Sequence, residues 1–166
     1  MKTSEKLHIF TTGGTIDKVY FDALSEFQVG ETVLATILRE ANVAFDFVLT
    51  SLMRKDSLDL TDRDRELIAR AVRDCQCRTV LITHGTDTMA DSARALGDVG
   101  DKTVVFTGAM QPASQRSTDA VFNIGFAVAA TRLLSSGVYI AMNGRVFDPA
   151  TVTKDRAAQR FVSTEG

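Results

Sequence analysis

Apolar residues recur along this chain in two alternating rhythms. Short aliphatic and β-branched runs at Leu7 to Phe10, Val80 to Ile82, Thr103 to Thr107 and Val138 to Met142 have the length and composition of buried strands, and Phe45, Phe47 and Leu49 alternate as another. Between them the spacing becomes helical. Val33, Leu34, Ile37, Leu38 and Ala41 share one face, as do Leu67, Ile68, Ala71 and Val72 behind a capping-box pattern at Thr61 and Asp64. Ala90, Ala93 and Leu96 follow Thr86, Asp87 and Thr88, which offer N-cap side chains. Val121, Phe122, Ile124, Gly125, Ala127, Val128 and Ala129 form a helix rich enough in small residues to pack closely on a sheet. Strands alternating with helices predict a doubly wound α/β domain, a mostly parallel sheet with helices on both faces, in the flavodoxin-like strand order 2-1-3-4-5. Asn143-Gly144 signals a tight turn, with a hairpin return at Val146-Phe147. The stretch from Leu52 to Leu60 reads as a polar loop, residues 13–30 as a lid-like loop, and residues 148–166 as an irregular tail.

Two of the strands end alike. The first runs into Thr12-Gly13-Gly14-Thr15 and the third into Thr83-His84-Gly85-Thr86, so both close in Thr-x-Gly-Thr. Glycine at the third position permits positive φ and lets another group approach the main chain. In the expected strand order these loops are neighbours at the topological switch point, where open α/β sheets bind ligands. The crevice would then gather Thr12, Thr15, Thr86, Asp87 and the backbone N–H groups around Gly14 and Gly85, with Tyr20 reaching in from the lid. A threonine hydroxyl attacks an acyl carbon if a neighbour accepts its proton, and backbone N–H groups can hold the oxyanion, so acyl transfer is the natural chemistry. His84 could orient the loop or act as base; Asp87 could cap the following helix, bind a substrate ammonium, or both. Neither loop is a dinucleotide or P-loop motif, and no Gly-x-Ser-x-Gly elbow is present.

Composition narrows the partner. A chain of 166 residues, 45% hydrophobic, suits one domain with a sizeable core. With 19 Lys and Arg against 21 Asp and Glu, the net charge of −2 carries no basic cluster, so neither nucleic acid nor an anionic membrane is expected, and a small-molecule substrate fits better. The short polar start from Met1 to Lys6 lacks a signal-peptide core, which predicts a cytoplasmic protein. Cys75 and Cys77 read as reduced thiols, since neither His8 nor His84 falls at zinc-motif spacing from them; no metal or cofactor is expected.

Thr12-Gly-Gly-Thr-Ile16, Ile82-Thr-His-Gly-Thr-Asp-Thr-Met89 and Phe106-Thr-Gly-Ala-Met110 resemble, in order, the signature segments of the bacterial-type L-asparaginases, as do Asp119 to Asn123 and Val152-Thr-Lys154. The resemblance implies hydrolysis of L-asparagine, with L-glutamine weaker, through Thr12 as nucleophile and an acyl-enzyme. Thr86 would belong to a second catalytic group, Asp87 would bind the α-ammonium and Ser57 the α-carboxylate, and the Ala109 backbone would lie near the leaving amide. Family members usually run to about twice this length and assemble, so a short single-domain form without the C-terminal domain, assembled as a dimer or tetramer, is expected. The family's lid Tyr-x-Val-Gly reads Phe27-Gln-Val-Gly30 here, leaving Tyr20 as the nearest phenol. Aligned on Gly108 to Met110 and Phe122-Asn123, Leu134 takes the place of the family's catalytic lysine. Arg132, on the same helix, points elsewhere; Lys154 is then the leading proton acceptor, with pairing to Asp155 as its ordinary alternative and Tyr20 as the next choice. Two other readings stay open: a binding or regulatory module that senses an amino acid without turnover, and an amidotransferase subunit fragment.

Overall fold

The computed structural model describes residues 6–21, 26–29 and 32–165, with residues 20, 21 and 26–29 described by backbone alone. Strand β1 (Leu7–Gly13) is followed by an antiparallel hairpin, β2 (Lys18–Phe21) and β3 (Glu26–Val29), and then by α1 (Leu34–Glu40) and β4 (Phe47–Lys55). Next come α2 (Asp62–Asp74), β5 (Thr79–Thr83), α3 (Met89–Ala95), β6 (Thr103–Thr107), α4 (Ala120–Leu133), β7 (Gly137–Met142) and β8 (Arg145–Phe147). The main sheet has the order β4-β1-β5-β6-β7-β8, parallel up to β7 and closed by antiparallel β8. Counting the parallel strands along the chain gives 2-1-3-4-5, as the alternation of strand and helix predicts.

Each central strand divides its side chains between two layers, because alternate residues face opposite sides of a sheet. Phe10, Val80, Ile82, Val104, Phe106 and Ile140 pack with Ile68 and Val72 of α2 and Met89 and Ala93 of α3. Leu7, Ile9, Leu81, Val105 and Ala141 pack with Leu34 and Leu38 of α1 and with Ile124 and Ala127 of α4. Fully burying one such aliphatic or aromatic side chain contributes about 1.5 to 3 kcal/mol, against about 0 to 1 kcal/mol for an exposed pair such as Arg78–Asp101, so these two layers hold the fold. The α2 capping box is formed: the Asp64 amide donates to Thr61 Oγ1 at 3.3 Å and the Thr61 amide to Asp64 Oδ2 at 2.8 Å.

Before the tail, four elements depart from the pattern reading. Strand β4 begins at Phe47 and runs on to Lys55, through residues whose polarity suggested a loop, because β1 offers it a parallel partner out to Gly13↔Lys55. Helix α3 carries no side-chain N-cap; Thr88 instead donates its hydroxyl to the Ser57 carbonyl at 2.7 Å. Helix α4 turns Ala120, Asn123, Ile124, Ala127, Ala130 and Thr131 inward, where small residues allow close approach, and leaves Val121 and Phe122 outside at 56% and 63% exposure. Within residues 13–30 the described backbone is a short 3-10 turn, Thr15–Asp17, followed by the β2–β3 hairpin rather than an open loop.

The largest departure is the tail. A 3-10 turn at Pro149–Thr151 leads into β9 (Val152–Asp155), which pairs antiparallel with β10 (Arg160–Ser163). Val152 and Phe161 are buried with the α2–α3 layer, Phe161 packs 6.3 Å from Phe147, and the Phe161 amide donates to Asn143 Oδ1 at 3.0 Å. Two isolated apolar residues among polar ones give no periodic signal, yet they fasten the segment.

Candidate active site

At the carboxyl ends of β1 and β5 the two Thr-x-Gly-Thr loops lie against each other. Thr11 pairs with Thr83 in the sheet, and one residue on, Thr12 donates its hydroxyl to the Thr83 carbonyl at 2.9 Å. Gly14 has φ +88°, and a Cβ there would collide with the Gly85 backbone nitrogen and lie 2.5 Å from its Cα. A Cβ on Gly85 would lie 2.6 Å from both Cβ and Oγ of Ser57. The third residue of each loop is thus glycine because two main chains touch there, with Ser57 from the turn after β4 completing the junction. The crossovers from β1 and β5 leave toward opposite layers, α1 on one and α3 on the other, which opens the switch-point crevice.

His84 is fully buried and both its ring nitrogens are occupied: Nδ1 is 2.7 Å from the Gly85 carbonyl and Nε2 is 2.7 Å from Ser92 Oγ. A carbonyl only accepts, so Nδ1 carries the proton and Nε2 accepts from the serine. Burial brings its pKa down to about 4, which keeps it neutral at pH 7. His84 therefore orients the loop, one of the two roles open in the sequence. Thr83, buried beside it, has a hydroxyl with no hydrogen-bond partner among the described residues.

The tail hairpin crosses the second loop. Lys154 Nζ donates to Thr86 Oγ1 at 2.7 Å and to Asp87 Oδ1 at 2.9 Å, and Arg156 reaches the same Asp87 oxygen at 3.2 Å. Thr86 is buried, and the Lys154 and Asp87 side chains are about four-fifths covered. Lys154 does not pair with Asp155, which accepts from the Ala158 amide. Asp87 does not cap α3. Leu134, where the motif alignment put the family lysine, ends α4 at the opposite edge of the sheet: its carbonyl accepts from Thr103, the first residue of β6. A side chain there points at the wrong edge of the molecule, and the lysine beside the threonine loops is Lys154. The Tyr20 side chain lies outside the described residues.

Other parts of the crevice were not assigned a role from sequence. Asp119 accepts from the amides of Met110 and Gln111 at 3.0 Å and from Asn123 Nδ2 at 2.9 Å, while Asn123 Nδ2 also donates to the Gly108 carbonyl. This network fixes the loop that carries buried Ala109. Its signals in the sequence are the family resemblance of the segment Asp119 to Asn123 and the i, i+4 spacing of the two side chains, neither of which assigns a role. Asp17 is buried and receives the Thr32 hydroxyl and the Val33 amide, tying the end of the hairpin segment back to the first loop. Burial, against those two bonds and the Arg54 charge, raises its pKa to about 6. Arg156, the second cation on Asp87, had no signal beyond its charge. Among the described residues, the cluster of three that could hold a metal ion lies at the other edge of the sheet, at His8, Cys75 and Cys77.

The crevice therefore holds two threonine hydroxyls, one lysine, one partly covered carboxylate and convergent backbone, a set suited to acyl transfer. Residues 6–163 match the family model described as asparaginase, N-terminal. Similar curated proteins include the probable periplasmic L-asparaginase of Haemophilus influenzae, 33% identical over 170 residues, covering 93% of this chain and 48% of that protein. L-asparaginase 2 of Escherichia coli is 32% identical over 157 residues, covering 88% and 45%. Among solved structures, the thermostable L-asparaginase from Thermococcus kodakarensis superposes with a TM-score of 0.84 at 27% identity, covering 95% of this chain and 51% of that one. A probable cytoplasmic L-asparaginase from Campylobacter jejuni gives 0.83 at 26%, covering 96% and 53%. The chain spans about half the length of the curated relatives it matches.

Proposed function

Because the chain belongs to the asparaginase family, we propose that it hydrolyses L-asparagine to L-aspartate and ammonia, with L-glutamine as a weaker substrate. Thr12 attacks the side-chain amide carbon, the amide nitrogen leaves as ammonia, and water then cleaves the ester on Thr12. Asp87 binds the substrate α-ammonium and Ser57 the α-carboxylate. Main chain around Gly14, Gly85 and Ala109 borders the reacting amide, the Gly14 N–H itself being held by the Lys55 carbonyl at 2.9 Å and the Met110 and Gln111 amides by Asp119. The observation that carries this reading is the contact of Lys154 Nζ with both Thr86 and Asp87, since it supplies the proton-handling group that a threonine nucleophile requires. When a substrate ammonium shares Asp87, Lys154 is released from that carboxylate and can pass protons through Thr86. The same contact favours a second reading, in which Thr86 itself is the nucleophile and Lys154 its base.

The test is ammonia release by the purified protein from asparagine, glutamine and their D-isomers. Turnover of L-asparagine ahead of L-glutamine is expected. Thermal stabilisation by asparagine with no ammonia released would leave an amino-acid sensor in its place. Two further proposals accompany this one. The outward apolar residues of α4, Val121, Phe122 and Leu133, the last 84% exposed, support assembly of the chain as a homo-oligomer, a dimer or tetramer, which sedimentation would show. No helix among the described residues is long and apolar enough to cross a membrane, and the unpaired thiols of Cys75 and Cys77 suit a reducing compartment such as the cytoplasm.

A further inference from the structure

At the amino-terminal edge of the sheet, away from the threonine loops, three groups from two segments distant in sequence converge. His8 is the second residue of β1, Cys75 caps the end of α2, and Cys77 lies just before β5. Their ligand atoms, one from each residue, all fall within 4.8 Å of one another, and His8 Nδ1 is 3.3 Å from Cys75 Sγ. Four residues of extended strand, about 13 Å, separate His8 from Thr12, so this cluster is distinct from the crevice.

The histidine is held as a ligand would be. Its ring stacks on Phe10 at 4.2 Å, and Nε2 lies 2.9 Å from Thr50 Oγ1. In the tautomer that donates Nε2–H to Thr50, the Nδ1 lone pair faces Cys75 Sγ, whose S–H lies between that nitrogen at 3.3 Å and the Cys77 carbonyl at 3.9 Å. The Cys77 amide donates to Cys75 Sγ at 3.4 Å, a bond that offsets negative charge on the sulfur. In a tetrahedral zinc site with ordinary bond lengths, nitrogen and sulfur ligands stand about 3.5 Å apart, so the His8–Cys75 pair needs a shift of only tenths of an ångström. Cys75 is buried and Cys77 half-buried, leaving an approach from solvent on the Cys77 side.

We propose that His8, Cys75 and Cys77 bind a thiophilic closed-shell cation, Zn2+, in a site independent of amide hydrolysis. The ion takes the Nδ1 lone pair and two thiolates; the two thiol protons go to solvent, and a fourth position remains for water. Loaded, the site would staple the start of β1, the end of α2 and the approach to β5. Burial pushes the Cys75 thiol up from its ordinary range, so the empty cluster keeps its proton and the ion must displace it.

The experiment is a Co2+ titration of the reduced, metal-free full chain. One equivalent should produce thiolate-to-cobalt charge-transfer absorption, equimolar Zn2+ should abolish it, and Zn2+ should raise the melting temperature. Cys77→Ser and His8→Gln should each lose the band, and Thr50→Val, which only frees the histidine, should weaken binding about 10- to 100-fold. Metal-free melting temperature and ammonia release in these variants should match the parent, which separates loss of the site from loss of the fold or of the proposed catalysis. Absence of the band in the parent, or its survival in both Cys77→Ser and His8→Gln, would overturn the site.

Discussion

The loop after β1 and the loop after β5 share a residue pattern and press their glycines together, yet their hydroxyls meet different partners. Thr12 gives its proton to the Thr83 carbonyl, which holds a hydroxyl in place but cannot carry the proton away. Thr86 receives Lys154, a group that can exchange protons. The difference arises outside the motif. The β2–β3 hairpin follows the first loop, and the β9–β10 hairpin lays its lysine over the second. The shared sequence does not impose a shared backbone, since Gly14 sits at φ +88° and Gly85 outside the positive-φ region, and the segment laid over the second loop gives its threonine a different chemistry.

Substitutions at the two loops separate these contributions. Thr12→Ala should cost the most, about four decades of turnover or more, because it removes the proposed nucleophile while the buried framework stays intact. If Thr86→Ala is inactive and Thr12→Ala retains near-parent ammonia release, the roles of the loops are exchanged. Lys154→Met should reduce turnover by about two to four decades, with little change in melting temperature, since methionine keeps most of the apolar stem; a rate within twofold of the parent would remove it from the chemistry. Gly14→Ala tests the shared backbone contact. A Cβ at φ +88° against the Gly85 main chain should cost about 3 kcal/mol or more in urea unfolding, and a variant as stable as the parent would show that the loops can separate.

The smallest effect expected concerns pH. Asp17 titrates near 6 in the fold against an ordinary value of 3.8, so the folded state binds its proton more tightly than the unfolded chain. Its contribution is full below pH 3.8 and is lost as pH rises through 6. Asp17→Asn should therefore be more stable than the parent at pH 8, by about 1 to 2 kcal/mol, with the gain vanishing below pH 4. A variant less stable at every pH would mean that the bonds from Thr32 and Val33 outweigh the cost of burying the charge.

Much of this architecture is legible before any coordinates. Hydrophobic runs such as Val80 to Ile82 declare buried parallel strands, and the repeated Thr-x-Gly-Thr identifies the loops that meet, because both signals are local. What escaped is long-range. Asp17 and His8 look like ordinary polar residues until burial and a partner far along the chain give them meaning. The tail reads as irregular because Val152 and Phe161 are single anchors rather than a face. Lys154 was singled out as a substitute for a lysine expected at Leu134, yet Leu134 closes α4 at the far edge of the sheet, where sequence spacing gave no hint of direction. Helix α4 misleads in the other sense: its apolar residues run all round, so composition cannot say which side meets the sheet.

The tail hairpin also sets an order in time. Lys154 meets a threonine 68 residues earlier in the chain, and its hairpin is anchored by Val152 and Phe161, which pack into the core built by the sheet, α2 and α3. Loop length alone does not order these events, since β1 and β5 pair across 72 residues; the need of Val152 and Phe161 for a packed layer to dock on predicts that the contact forms late. A refolding chain should regain its sheet first and its chemistry last, so that any freshly made copy passes through an interval in which it is shaped like the finished protein and inert.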